Sequence, residues 1–200
     1  MKARSRCSLL LLVTVLGAAG VVASAQAQTI SPDDSDVLFV AQDPTFGGVT
    51  CETGTLEGRT GIDEDYLNLE LEFSGCSFGG MGVTLECSHA SGPENEFGTA
   101  RLRALVATTN NGEVDRFNED FLCFVAVPGI CTLSVAEQEL PISGGVNAAD
   151  LLDEGGSNAG LDVQVDMLVT RTGSPLCGPM TGVSTWAGFY QADPSFRFDP

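Results

Sequence analysis

The chain has 200 residues, with 27 acidic against 9 basic side chains, a formal charge of -18, seven cysteines and 24 glycines. Displacing the counterions of a phosphate backbone takes Lys and Arg, so this balance argues against a nucleic-acid binder. The apolar share of 43% argues against wholesale disorder, and a chain this long buries roughly 70% of its unfolded surface, enough for one domain with a real core.

The first element is an address. Lys2, Arg4 and Arg6 precede the apolar run Leu9 to Leu16, and Ala23-Ser24-Ala25 and Ala25-Gln26-Ala27 follow as A-x-A patterns. These are the three parts of a secretory signal peptide over residues 1–27, cleaved near 25–28. Its apolar core is about half of the ~20 residues needed to span a bilayer, so it does not read as an anchor. Without the leader, 27 acidic side chains face six arginines (59, 101, 103, 116, 171 and 197), a net charge of -21 with no lysine. Residues 28–200 are expected to be one secreted domain without a membrane span.

Beyond the leader the period is mostly two. Leu67, Leu69, Leu71 and Phe73 alternate with Asn68, Glu70 and Glu72. Val83, Leu85 and Cys87 alternate with Thr84 and Glu86, and Leu161 to Val169 alternate with Asp162, Gln164 and Asp166. Each pattern sets one face in a core and one in water. Further strands are predicted at about 37–41, 48–56, 99–107, 121–127, 131–136 and 183–190, between glycine-rich turns. Only Ala148 to Asp153, behind Asn147 as a cap, predicts a short helix. Short strands at this spacing predict an all-β fold, an antiparallel β-sandwich with a closed β-barrel as the alternative. An outer-membrane barrel is disfavoured by the charged outward positions.

Removing Cys7 with the leader leaves Cys51, Cys76, Cys87, Cys123, Cys131 and Cys177, an even count that predicts disulfides in an oxidising compartment. If Val125 faces Gly129 across a three-residue turn, Cys123 stands opposite Cys131 and can bridge to it. Cys51–Cys76 and Cys87–Cys177 complete the first choice of pairs. Zinc is disfavoured, because the closest cysteine spacing is too wide and His89 is the only imidazole.

The runs Cys51-Glu52-Thr53-Gly54 and Phe73-Ser74-Gly75-Cys76, the pair Cys123 and Cys131, and Cys177-Gly178 form a C-x-x-G, F-x-G-C, C-x7-C pattern. It resembles that of a loose group of secreted bacterial β-rich proteins. The resemblance implies export and a disulfide-linked β fold, and carries over no activity or catalytic residue.

The sequence offers little recognisable chemistry. A Ser or Cys triad would have to use His89, and no G-x-S-x-G elbow is present. Without a mature lysine a phosphate loop is impossible. Asp162 and Asp166 share a strand face ~13 Å apart, too far for a glycosidase pair. Oxygen-rich loops at Asp33 to Asp36, at Asp63, Glu64 and Asp65, and at Asp150, Asp153 and Glu154 could hold calcium, with the Asp63 group preferred. Trp186 and Tyr190 share a face opposite to Phe189 and read as core plugs more than as a sugar platform. The expected function is therefore a non-catalytic structural or interaction protein without a cofactor, whose partner is an extracellular protein or polysaccharide. The alternative is a small carbohydrate- or calcium-binding module.

Overall fold

The computed structural model describes residues 29–62, 64–89, 99–105, 111–127, 131–140, 142, 145–153, 159–175, 181–193 and 197–199. The leader lies outside them. The strands run in order as β1 (Thr29–Ser31), β2 (Asp36–Gln42), β3 (Thr45–Phe46), β4 (Val49–Thr50), β5 (Thr53–Arg59), β6 (Tyr66–Ser74), β7 (Ser77–Phe78) and β8 (Met81–Gly82). They continue as β9 (Leu85–His89), β10 (Thr99–Ala104), β11 (Gly112–Val127), β12 (Cys131–Glu139), β13 (Asn147–Asp153), β14 (Ala159–Gly173), β15 (Thr181–Asp193) and β16 (Arg197–Asp199).

Eight of these close on themselves through antiparallel pairs, in the order β14, β12, β11, β10, β6, β5, β2, β15 and back to β14. The all-β class holds, and of the two architectures left open by the sequence the closed barrel is the one realised. β14 is the seam: its Gly160–Thr170 stretch pairs with β15, while β12 holds Thr170–Gly173 and β13 holds Ala159–Val165 on its other edge. Between those two partners the Gln138 side chain substitutes for a strand. Its Oε1 accepts the Leu168 N–H at 2.8 Å and its Nε2 donates to the Leu168 carbonyl at 3.2 Å.

Alternation decides which side chains go inward. Leu67, Leu69, Leu71 and Phe73 of β6 and Leu161, Val163, Val165, Met167 and Val169 of β14 are all buried, in one contiguous core. At roughly 1.5–3 kcal/mol for each large apolar side chain, this core is the main stabilising contribution.

The helix expected at Ala148–Asp153 is strand β13. Ala149 and Leu151 are buried while Leu152 is exposed, a period of two, and each residue from Asn147 to Asp153 has a partner on β14. Asn147 does not cap a helix; its Oδ1 accepts the Val114 N–H at 3.0 Å. The N-terminal half of β11 was not legible as a strand. A register shift facing Arg101 and Leu102, and another between Phe117 and Leu122, break the alternation there.

Candidate functional site

The chain between β2 and β5 folds inward. Gln42 pairs with Thr53 at the base of that hairpin, and the intervening residues form the small hairpin β3–β4 across one mouth of the barrel. Buried Pro44 sits against two inward glycines. A Cβ on Gly54 would lie 2.9 Å from Pro44 Cγ, and one on Gly188 would lie 3.1 Å from Pro44 Cβ. The glycine of the C-x-x-G run is thus the seat of this plug. Phe46 enters the core with its ring centroid 5.0 Å from Phe73, 6.0 Å from Trp186 and 6.3 Å from Phe117. At the tip, Gly47 (φ +65) approaches Met167, Val169 and Val135 on the far wall. The space beneath it, bounded by Phe46, Leu85, Cys123, Val125 and Val135, is about 10 Å³, scarcely enough for a water molecule. The bore is filled by its own side chains.

Trp186 and Tyr190 face inward, as their shared phase predicts. The indole Nε1–H donates to the Tyr190 hydroxyl at 2.9 Å. Burial pushes the Tyr190 phenol well above its ordinary value, and the bond from Trp186 opposes that only in part. Phe189 faces outward, half-buried, with its ring lying over Gly160, where a Cβ would collide with it.

The cysteines follow a different register from the one expected. Cys51–Cys76 is bonded, as predicted, and ties the end of the plug hairpin to the end of β6. The pairs Cys123–Cys131 and Cys87–Cys177 are corrected, because Cys123 is bonded to Cys87. In the β11–β12 hairpin Val127 faces Cys131 and Cys123 faces Val135, so the expected bridge is four residues out of register. On the other edge of β11, Cys123 stands directly opposite Cys87. Cys131 is buried, and Cys177 lies outside the described residues.

The acids are placed outside the barrel and several are engaged. Arg59 Nη2 meets Asp34 and Nη1 meets Asp36, both at 3.0 Å. The hydrogen bond to Asp34, with the charges of Asp34 and Asp36, raises the Arg59 guanidinium above its ordinary value. Arg101 grips Asp115 through Nε and Nη2 and lies 5.6 Å from the centroid of the Tyr66 ring. Of the preferred calcium group, Asp63 lies outside the described residues, Asp65 accepts from Arg103 at 3.3 Å, and the Glu64 carbonyl takes the Ile30 N–H at 3.0 Å. Asp166 accepts from Val146 N–H at 3.0 Å and from the Thr185 hydroxyl at 2.9 Å, which fastens a loop. Asp150 stands opposite Asp162 across β13 and β14. Among the described residues no three His, Cys, Asp or Glu side chains are grouped to hold a metal ion. The His89 and Asp153 side chains and the whole of Glu154 are outside the described set.

Two open clefts of about 480 Å³ lie on the outer surface. One has an acidic excess, between Asp36, Glu57, Arg59, Asn68, Glu70 and Asp193, where Arg59 pairs with Asp36 and Glu57 and Glu70 stand directly opposite on β5 and β6. The other is nearly uncharged and runs beside Cys76, between Gly75, Gly82, Val83, Thr84, Glu86, Phe124 and Ala126. Phe124 was not singled out by sequence reasoning, although its phase opposite to Cys123 and Val125 marks it as outward. No protein family matches the chain, and neither the curated proteins nor the solved structures contain a match to it.

Proposed function

We propose that the chain is an exported, disulfide-stabilised barrel that acts without catalysis, as an interaction or structural protein working through its outer surface. The filled bore carries this reading: with Phe46 from the plug packed against Trp186 and Phe117, a partner has to meet the outside of the barrel. Export is supported by the two disulfides and by the leader pattern. An aqueous setting is supported by outward carboxylates in mid-strand, such as Glu57, Glu70 and Glu72, which are costly against lipid. No helix among the described residues is long and apolar enough to cross a membrane.

The test is a panel of ester, glycoside, peptide and phosphoester substrates given to the purified mature protein, beside thermal melts in Ca²⁺ and in EDTA. No turnover is expected, and Ca²⁺ should raise the melting temperature no more than NaCl of equal ionic strength. Turnover that co-purifies with the protein overturns the non-catalytic reading. A specific Ca²⁺ shift, abolished by Asp65→Asn, overturns the reading that calcium has no part.

A further inference from the structure

We propose that the outer face of β9, β11, β12, β14 and β15 binds an uncharged oligosaccharide chain, with Phe124 as the platform on which a sugar ring stacks. The inference rests on the non-catalytic reading above and gives that surface a ligand class.

The pairing register lays the face out in rows. Glu86 stands opposite Phe124, Phe124 opposite Ser134, Ser134 opposite Thr170, and Thr170 opposite Thr181. A second row brings Ala126, Thr132 and Thr172 together, and Thr84 lines the cleft beside them. On a chain with 27 acidic residues, these two rows carry one carboxylate. Five strands at the usual spacing span on the order of 19 Å, the length of a short linear oligosaccharide.

Three chemical features converge there. Phe124 is 45% exposed, and the electron-rich face of its ring attracts the C–H-bearing face of a pyranose. The Glu86 carboxylate beside it can accept from two hydroxyl groups at once. The Ser and Thr hydroxyls each donate and accept, which matches a ligand made of hydroxyls. Room is available: the cleft is about 480 Å³, and a Cβ placed on Gly82 would meet nothing within 4 Å. Charge selects among sugars, because an excess of 27 acidic over 9 basic side chains repels anionic polysaccharides.

Affinity electrophoresis of the native mature protein tests this, in gels containing β-glucan, xylan or galactomannan, with pectate as the anionic control. At least one neutral polysaccharide should retard the protein, and about 0.5 M NaCl should not weaken the effect. Phe124→Ala should weaken it about tenfold and Glu86→Gln several-fold, while Glu70→Gln in the other cleft leaves it unchanged. All three substitutions fall at exposed positions, and circular dichroism checks that the variants fold. Retardation by none of the neutral gels, by pectate alone, or equally for Phe124→Ala and wild type overturns the proposal. Retention instead on an immobilised apolar peptide, lost in Phe124→Ala, also overturns it and assigns the face to a protein partner. Reducing sugar released from the same polysaccharides would overturn the non-catalytic reading, so the two failures are told apart.

Discussion

Tyr190 keeps its proton because its phenol is buried, and that proton is linked to stability. The shift is upward, so the native state holds the proton over a range where the unfolded phenol, near pH 10, has begun to lose it. The contribution is complete below about pH 10 and is lost as pH rises from there towards the native value. Tyr190→Phe leaves the Trp186 N–H without its acceptor and should cost about 1–3 kcal/mol at neutral pH. It should also flatten the alkaline fall in stability. Urea unfolding at pH 8 and pH 10.5, followed by the fluorescence of the single tryptophan, checks both; an equally steep alkaline fall in the variant would refute the assignment. The i, i+4 phase of Trp186 and Tyr190 was legible in the sequence. The seating of Pro44 on Gly54 and Gly188 was not, because it joins residues that are far apart along the chain and carry no local signal.

The same divide appears among the elements. Strands with uninterrupted alternation, β6 and β14, were legible at once. Segments whose pattern is cut by bulges or shortened to two residues were not, and these include the start of β11 and strand β3; β4 lies within the strand predicted at 48–56, but its separation from β5 carries no signal there. For β13, Ala148, Ala149, Leu151 and Leu152 have helical propensity, but pairing with β14 overrides it. The β11–β12 hairpin is legible in the sequence but its register is not, because the turn lies beyond Val127, and that register decides the partner of Cys123. Peptide mapping without reduction is expected to return Cys51–Cys76 and Cys87–Cys123 as linked peptides. A Cys123–Cys131 peptide would show the hairpin in the other register. Each bond should contribute about 2–4 kcal/mol, mainly by restricting the unfolded chain.

At the scale of the whole molecule, charge opposes folding. Surplus carboxylates face each other directly at Glu57 and Glu70 and at Asp150 and Asp162, where like charges destabilise. Arg59 and Arg103 pair in exposed positions, where ion pairs contribute little. Screening should therefore help this fold more than it harms it. Raising NaCl from about 0.01 to 1 M, which shortens the Debye length from about 30 to 3 Å, is expected to raise the melting temperature by several degrees. A fall would mean that ion pairs outweigh repulsion. Barrel closure itself had no local signature, since it depends on β15 meeting β2 and β14 meeting β12, strands that are not consecutive in the chain.

Thr29–Ser31 pairs with Arg197–Asp199, and β2 with β15, so the earliest strands are completed only by the latest. During synthesis these early segments wait as naked β edges, the state in which chains adhere to one another. Mutual repulsion among so many carboxylates keeps waiting chains dispersed. The acidity that strains the finished barrel thus serves the thread that precedes it.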